Sequence, residues 1–357
     1  MTTESSRRTW TLVLASLGGF MATLDTLVVA TALPVLRVDL GASLADLEWT
    51  VNAYNLALAC LIPTAAALGD RFGRRRMYVA GLAVFTAASV AAALAPGAGE
   101  LVAARAVQGA GAALVLPLSL TLISDAFPAA KRGAAIGLWG GVSGVAVAAG
   151  PVVGGVILEG LAWQWIFWIN VPIGVVLIPL SLLKLRESRG PRPQLDLPGL
   201  VLAGAGLFLL TWGPVRAPER GWDSGEVVVA LAGGVVLMAA FVVRERRAPY
   251  PMVPLGYFRN RVFGAVNVVA FLQFLSLFGA LFLFVQLMQT ALGYSPLEAG
   301  VRILPWTATP VLVAPIAGAL ADRYGNRPFL VGGMALQAVG LGWVAAVADV
   351  GVGYGEL

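Results

Sequence analysis

Two charged side chains, Asp25 and Arg105, lie within long apolar stretches of this sequence. Asp25 is near the centre of an apolar run that extends from about Thr11 to Leu36. A carboxylate at the centre of a membrane helix costs about 2.5–3.5 kcal/mol, and residues of this kind mark ion and proton pathways. A carboxyl group there can take up or release a proton inside the bilayer. We therefore expect Asp25 to be a proton carrier, the alternative being a permanent structural pair with a neighbouring helix.

Arg105 cannot carry protons, because its guanidinium group keeps its charge in proteins. Its expected role is electrostatic, since a fixed positive charge favours the ionised form of a nearby carboxyl group. The alternative is an arginine that extends from the end of its helix to the membrane surface. Gln108, nearly one turn further on, shares that helix face and is a candidate to bond Arg105 or a substrate. Asn52 and Asn55 are further candidates for a substrate cavity.

The composition indicates a membrane protein and excludes several kinds of chemistry. Of the 357 residues, 59% are hydrophobic and 12% are charged, whereas soluble domains carry about 25% charged residues. There is no His, and Cys60 is the only cysteine, so His-based catalysis, an internal disulfide and a thiolate metal cluster are excluded. No glycine-rich phosphate loop follows a strand pattern. We expect no enzyme activity, no cofactor, no nucleotide and no nucleic acid, with the proton gradient as the energy source.

Apolar runs of about 20 residues predict an all-α membrane protein, because only hydrogen-bonded helices of that length satisfy the backbone across a bilayer. The sequence contains about eleven such runs. They are residues 11–35, 47–68, 77–95, 100–123, 134–158, 164–183, 197–214, 226–243, 262–285, 298–320 and 328–348.

The positive charges between these runs predict the orientation. If the N-terminus is cytoplasmic, most of the 24 Lys and Arg residues fall in cytoplasmic segments. Only Arg37, Arg216 and Arg220 then fall outside, while Arg105 and Arg302 lie within spans. This asymmetry follows the positive-inside rule. We expect a multi-pass protein of the plasma (inner) membrane with a cytoplasmic N-terminus.

A charged turn after the second span recurs after the tenth, in the pattern P-x-A-x-A-L-[GA]-D-R-[FY]-G-x-R. We interpret it as a cytoplasmic latch whose charged pairs hold the outward-facing state, and the alternative is a plain positive-inside anchor. An anchor needs no fixed spacing, so the repeat favours the latch. The latch residues are Gly69, Asp70, Arg71, Gly73, Arg74 and Arg75 in the first copy and Asp322, Arg323, Gly325 and Arg327 in the second.

The repeat also predicts the domain organisation. The two copies are eight spans apart, which is six plus an inserted pair. Residues 1–189 would form a six-helix bundle, 190–247 an inserted two-helix pair, and 248–357 the first three helices of a second bundle. A second six-helix bundle would bring the total to fourteen, so we expect three more apolar spans beyond Leu357.

The fifth span is rich in glycine, with four-residue steps at Gly133–Gly137–Gly141 and Gly150–Gly154. Small residues at this spacing let membrane helices approach closely. Pro151 removes a backbone hydrogen bond and is expected to kink the span. The span is predicted to act as a hinge or a leak-tight seam, and the alternative is ordinary helix packing.

These residues together resemble the major facilitator superfamily, and within it the fourteen-helix drug:proton antiporter branch (the EmrB/QacA type). The resemblance covers the whole chain. It rests on five groups of residues: Leu24-Asp25-Thr26 with Ala32-Leu33-Pro34; Gly69-Asp70-Arg71-Phe72-Gly73-Arg74-Arg75-Arg76; Arg105 with Gln108-Gly109; Gly150-Pro151 with Gly154-Gly155; and Trp163-Gln164-Trp165-Ile166-Phe167 with Asn170-Val171-Pro172. The branch usually carries Arg where this chain has Gln164.

The resemblance implies two helical bundles that rock about a central site, with Asp25 as the candidate partner of Arg105. Gly150, Pro151, Gly154 and Gly155 would be its antiporter motif. The implied function is efflux of small amphiphilic drugs, dyes or antibiotics in exchange for protons. Two alternatives stay open at this point: a proton-coupled nutrient symporter, and a non-transporting membrane sensor or assembly protein if the chain is complete at Leu357.

Overall fold

The computed structural model describes residues 4–190, 196–249, 251, 253, 255–294 and 296–347. Every regular element in these residues is helical. Short 3₁₀ and π segments lie at Leu255–Arg259 and Leu287–Ala291. The α-helices are α1 (Glu4–Asp39), α2 (Leu44–Phe72), α3 (Arg74–Ala93), α4 (Ala98–Ala126), α5 (Ala129–Gly160), α6 (Trp165–Trp168), α7 (Asn170–Lys184), α8 (Leu197–Arg220), α9 (Gly225–Arg247), α10 (Arg261–Gln286), α11 (Pro296–Tyr324) and α12 (Asn326–Val347).

The predicted set of membrane-spanning helices is confirmed. Within the described ranges, 11 helices are long and apolar enough to cross a bilayer, counting α6 and α7 as one. The helices extend past the apolar runs that predicted them; α1, for example, begins at Glu4 and ends at Asp39. Helical hydrogen bonding therefore continues into the polar regions at the membrane surface.

Local sequence explains where several helices start and stop. Ser43 and Asp46 form a reciprocal capping box at the start of α2, and Asp196 caps α8 by accepting from Gly199 N. These side chains satisfy backbone N–H groups that the first helical turn leaves unpaired. Gly73, between α2 and α3, has φ 109°. That conformation is accessible mainly to glycine, so the tight turn depends on it.

The first six spans pack as one bundle with a buried core. Helix α1 contacts α2, α4, α5 and α7, and α4 also packs along α2 and α3. The buried side chains at the centre include Met21, Tyr54, Phe85 and Val115. The pair α8–α9 packs together and rests on α2.

Helix α11 lies along α5 at backbone contact, and glycine makes this possible. A Cβ atom on Gly318 would lie 2.4 Å from Gly133 O, and one on Gly137 would lie 2.4 Å from Ala314 O. None of the described side chains of α10 and α12 is buried, and many of the exposed ones are apolar. The contact between α5 and α11 therefore joins the first bundle to the helices that follow the inserted pair.

We predict that Gly137→Ala loosens the contact between α5 and α11. The added methyl group would meet a backbone carbonyl, which cannot move away as a flexible side chain can, and overpacking of this kind costs about 1–3 kcal/mol. The apparent melting temperature in detergent should fall. Gly140→Ala is the matched control, because its Cβ would meet nothing within 4 Å, and it should leave the melting temperature unchanged or raise it. Equal melting temperatures for the two variants would contradict the packing.

Candidate functional site

Asp25 and Arg105 form an ion pair at the centre of the first bundle. Asp25 on α1 is 1% exposed and Arg105 on α4 is 0% exposed. Arg105 Nη1 contacts Asp25 Oδ2 directly. The structure thus places Arg105 inside the bundle rather than at the membrane surface, and it brings Arg105 together with Asp25.

Two amide groups complete the surroundings of Asp25. Gln108 Nε2 donates to Asp25 Oδ1 at 2.8 Å, and Asn170 Nδ2 donates to the same oxygen at 2.7 Å. Together with Arg105, three donors point at one carboxyl group. An ionised carboxylate only accepts hydrogen bonds, so this arrangement matches the charged form of Asp25. Charge-assisted bonds of this kind are about twice as strong as neutral ones.

Arg105 is held by neighbours other than Asp25. Nη1 also donates to Gln108 Oε1 at 2.6 Å, and Nε donates to the backbone carbonyl of Thr50 at 3.2 Å. The guanidinium carbon lies 4.3 Å from the centre of the Tyr54 ring and 5.9 Å from that of Phe167. Such cation–π contacts stabilise a desolvated cation. The positive charge is therefore fixed in position by α2 and α6 and by Gln108 on its own helix, as well as by its partner.

Glycine lets α2 approach Arg105 closely enough for these contacts. A Cβ atom on Gly109, four residues along α4 from Arg105, would lie 2.3 Å from Tyr54 O. The Tyr54 hydroxyl donates to Ala22 O on α1 at 3.2 Å. The Tyr54 side chain therefore extends from α2 to α1 and lies against the guanidinium group. The close contact between α2 and Gly109 sets the position of Tyr54.

Two polar atoms in the cluster have no hydrogen-bond partner among the described residues. They are Arg105 Nη2, a donor, and Asn170 Oδ1, an acceptor. Buried polar groups are nearly always bonded in native proteins, so each exception calls for an explanation. The cluster thus has one spare donor and one spare acceptor next to an ionisable group.

Asn170, Ser89 and Tyr54 are members of the cluster to which the sequence analysis gave no role. Asn170 is the first residue of α7 and is fully buried, and Ser89 Oγ accepts from Gln108 Nε2 at 2.9 Å. Asn170 carried one usable signal, because an amide at the start of an apolar helix must find a partner. Nothing in the sequence identified that partner as Asp25.

The three candidates for the substrate cavity fall in different surroundings. Gln108 is 0% exposed and bonded on both sides within the Asp25 cluster. Asn55 is exposed on α2, and Asn52 is half-buried one turn before it. In this conformation only the two asparagines are open to a molecule entering from outside the bundle.

The first copy of the charged turn forms its pairs within the first bundle. Arg74 Nη2 lies 2.8 Å from Asp70 Oδ1 and its Nη1 contacts Asp125 on α4. Arg75 and Arg76 face Glu187, at 3.6 and 3.7 Å. Gly69 packs α2 against Leu118 of α4. Arg71 lies over the ring of Phe72, its neighbour in sequence.

The second copy of the charged turn contacts the first bundle. Asp322 on α11 accepts hydrogen bonds from Gly133 N and Ala134 N at 3.1 Å each, near the start of α5. A helix N-terminus carries partial positive charge and attracts carboxylates. Gly325 has φ 84° and forms the turn between α11 and α12. Arg323 lies over the Tyr324 ring, and Arg327 is exposed.

The glycines of α5 form close contacts with two different helices. Gly133 and Gly137 contact α11, whereas Gly150 and Gly154 face Leu27 and Thr31 of α1. A Cβ atom on Gly150 would lie 2.5 Å from Leu27 Cβ, and one on Gly154 would lie 2.1 Å from Thr31 Oγ1. Leu27 and Thr31 lie two and six residues beyond Asp25 on α1. Gly155 is half-buried; the helix runs through position 151, while the Pro151 side chain and the kink expected from it lie outside what the structure describes.

Comparison with known proteins identifies relatives along nearly the whole chain. The family model described as "Major Facilitator Superfamily" matches residues 15–345. The chain is 39% identical over 354 residues to the tetracenomycin C resistance and export protein of Streptomyces glaucescens, covering 98% of this chain and 66% of that protein. It is 39% identical over 351 residues to the cephamycin export protein CmcT of Amycolatopsis lactamdurans, covering 96% and 72%.

A third relative is the multidrug resistance protein Stp of Mycobacterium tuberculosis, 37% identical over 333 residues, covering 93% of this chain and 62% of that protein. The chain thus spans slightly less than two thirds of the length of some of its curated relatives. Among solved structures, the proton:xylose symporter XylE has a TM-score of 0.59 at 18% identity, covering 91% and 71%. The peptide transporter POT has 0.58 at 15% identity, covering 89% and 69%. These structures share the fold.

We predict that Asn170→Leu weakens the Asp25 cluster. It removes one of the donors to Asp25 Oδ1, and a buried charge that loses a hydrogen bond costs about 1–3 kcal/mol. The apparent melting temperature in detergent should fall. Asn267→Leu is the matched control, because Asn267 is exposed on α10 and donates to the carbonyl of Phe263 in its own helix. An unchanged melting temperature, or an equal loss in the control, would contradict the prediction.

Proposed function

The chain belongs to the major facilitator superfamily, and on that basis we propose that it exports small amphiphilic compounds in exchange for protons. The observation that carries the proposal is the ion pair of Asp25 and Arg105, which is fully buried and linked by hydrogen bonds to two amide side chains. The efflux class is supported by relatives whose names describe antibiotic export and multidrug resistance.

Proton binding to Asp25 conflicts with the contacts that the ionised group makes. Oδ2 faces Arg105 Nη1, and Oδ1 faces the N–H groups of Gln108 and Asn170. A hydrogen atom on either oxygen would point at a donor, so at least one of these contacts must break. Breaking a buried pair leaves an uncompensated charge, at a cost of about 3–5 kcal/mol. Protonation therefore favours a conformation in which Arg105 finds other partners, such as water or substrate.

Asn170 provides a group that can bond both forms of Asp25. Its Nδ2 donates to the carboxylate, and its Oδ1 has no partner among the described residues. Rotation of the amide by half a turn would present Oδ1 to the hydroxyl of a protonated Asp25. Ser89 and Gln108 would remain bonded to each other in that state. The spare acceptor thus gains a function in the protonated form of the site.

The contact between Asp322 and the start of α5 is the part of the proposed latch that crosses between the two groups of helices. It lies at the same end of the molecule as the turn around Gly73. Opening at this end requires Asp322 to leave Gly133 N and Ala134 N. Interactions of carboxylates with helix N-termini contribute about 0.3–1 kcal/mol at exposed sites, so the latch biases the equilibrium without locking it.

The remaining parts of the proposal complete the transport cycle. The protein works in the plasma membrane with a cytoplasmic N-terminus, as the charge distribution favours. It belongs to the fourteen-helix drug:proton antiporter branch, with residues 1–189 and 248 onward as the moving bundles and 190–247 as the inserted pair. Asn52 and Asn55 on α2 contact the substrate. A proton that enters with the membrane potential releases about 2.3 kcal/mol per 100 mV, and no cofactor is required.

We predict that Asp25→Asn abolishes proton-driven export while the protein stays folded in the membrane. Asn has the size of Asp but is always neutral and cannot bind or release a proton. The exchange between the ion pair and the neutral acid is therefore lost. Inverted membrane vesicles energised with a proton gradient, tested with a panel of hydrophobic dyes, should show dye movement at the level of vesicles without the protein. Asp39→Asn is the matched control, since Asp39 is exposed at the end of the same helix. Undiminished export by Asp25→Asn would dismiss the proton-carrier role.

We predict that Asp322→Asn shifts the protein toward the state that is open at the N-terminal side of α5. Removing the charge weakens the contact with the two N–H groups, so the open population should rise about two- to fivefold. Spin labels on cysteines at Lys131 and Asn326, both exposed near this contact, would report the change as a longer distance in a Cys60→Ser background. Asp223→Asn, exposed between α8 and α9, should leave the distances unchanged. Identical distributions for both variants would rule out the latch.

A further inference from the structure

Two clefts that share lining residues lie where α1 begins and α7 ends. The larger has a volume of about 800 Å³ and lies between α1, the end of α4 and the segment after α7. The smaller has a volume of about 290 Å³ and is lined also by Trp10 and Leu183. Both clefts are lined by Arg7, Lys184 and Arg186. None of these residues belongs to the proton site or to the charged turns.

The acids that line these clefts already have cationic partners. Glu4 pairs with Arg8 at 2.7 Å, and Asp125 contacts Arg74. Glu187 faces Arg75 and Arg76. Within the described ranges, no acid lies within ion-pair distance of the Lys184, Arg186 and Arg189 side chains, all of which line the larger cleft. The positive charge of the clefts therefore remains available to an anion.

The clefts continue into an apolar surface of the kind that faces lipid. Leu182 and Leu183, in the last turn of α7, are 46% and 76% exposed. Trp10 is half-buried beside them, and the Lys184 ammonium group lies 5.5 Å from the centre of its ring. Tryptophan favours the boundary between acyl chains and headgroups, and lysine extends its charge to that level. A ligand in this place would meet positive charge at one end and hydrocarbon at the other.

We propose that these clefts bind the phosphate headgroup of an anionic phospholipid, with its acyl chains along Leu182 and Leu183. Basic pockets between membrane helices recognise such headgroups by charge. Arg186 and Arg189 offer planar donors that suit phosphate oxygens, and Lys184 adds a point charge above Trp10. A soluble phosphate compound would use the same cations but would gain nothing from the exposed leucines, which is why the lipid is the better match.

A headgroup in the larger cleft would lie against the base of the first charged turn. Arg74 and Asp125 line this cleft, and Arg74 also pairs with Asp70. The Ser188 hydroxyl donates to Asp125 at 2.8 Å, so the segment after α7 is tied to the same group. Lipid occupancy would therefore reinforce the contacts that hold α3, α4 and the end of α7 together.

Mass spectrometry of the protein released intact from nanodiscs tests the proposal directly. The nanodiscs would contain equal amounts of phosphatidylglycerol and phosphatidylcholine. The unaltered protein should retain phosphatidylglycerol about 25-fold over phosphatidylcholine, since Lys184 and Arg186 near an anionic headgroup are each worth about a factor of five. No preference in the unaltered protein would overturn the proposal, whatever the variants do.

Paired variants show where the lipid is held. Lys184→Gln with Arg186→Gln should reduce the retained phosphatidylglycerol about 25-fold. The control is Arg246→Gln with Arg247→Gln, which removes the same charge from exposed positions at the end of α9 that line neither cleft. The control should retain the lipid as the unaltered protein does. Equal losses in both double variants would show that general surface charge attracts the lipid, and the site would be refuted.

A competition with soluble phosphates identifies the source of the headgroup. Inorganic phosphate and glycerol phosphate, added at millimolar concentration before release, should leave the bound phosphatidylglycerol in place. Displacement of the lipid by either compound, to the level seen in the Lys184→Gln and Arg186→Gln variant, would show that the clefts take a free anion and would contradict the lipid assignment.

Discussion

The structure depends on one buried ion pair. A carboxylate and a guanidinium group that leave water together are costly, and they are tolerated only when their geometry is good and their remaining bonding groups are filled. Gln108 and Asn170 fill the bonding groups of Asp25, and Gln108 and an aromatic ring contact the guanidinium group, whose Nη2 has no partner among the described residues. The pair joins α1 and α4, while Asn170 brings in α7. The centre of the first bundle is thus organised around a charge that a single proton can remove.

The packing around this pair is built to be close. Gly109 lets Tyr54 lie next to Arg105, and Gly150 and Gly154 bring α5 against α1 beyond Asp25. At the N-terminal end of α5, Gly133 and Gly137 make a second contact of the same kind with α11. Helix α5 therefore touches both the helix that carries Asp25 and the helix that carries Asp322, so it is in close contact with both regions. Coupling between the regions around Asp25 and Asp322 through this helix is part of the proposed function.

The number and placement of the spans followed from the sequence, because about 20 apolar residues are needed to cross a bilayer and polar segments separate them clearly. The pairing of Asp25 with Arg105 was expected from the resemblance to the family, which implies that the first and fourth spans lie along one cavity. The sequence alone does not show the contact. Asn170 was harder to assign. A neutral amide near the start of a helix can form hydrogen bonds with many different groups. The apolar pattern also does not determine how one helix is rotated about its axis relative to another.

The hydrogen bonds that Gly133 N and Ala134 N donate to Asp322 depend on a contact between distant parts of the chain. Only the recurrence of the charged motif in the sequence indicated that they are important. The break between α6 and α7 was not predicted either, because the apolar residues of both helices form one run in the sequence.

The central claim is that Asp25 changes its protonation state as the protein moves between conformations. Infrared difference spectroscopy on the protein in lipid, with and without a transported compound, measures this directly. The account predicts a carbonyl band of a protonated carboxylic acid that appears in one state, disappears in the other and is missing in Asp25→Asn. A spectrum in which no such band depends on Asp25, with the carboxylate ionised in both states, would contradict the account.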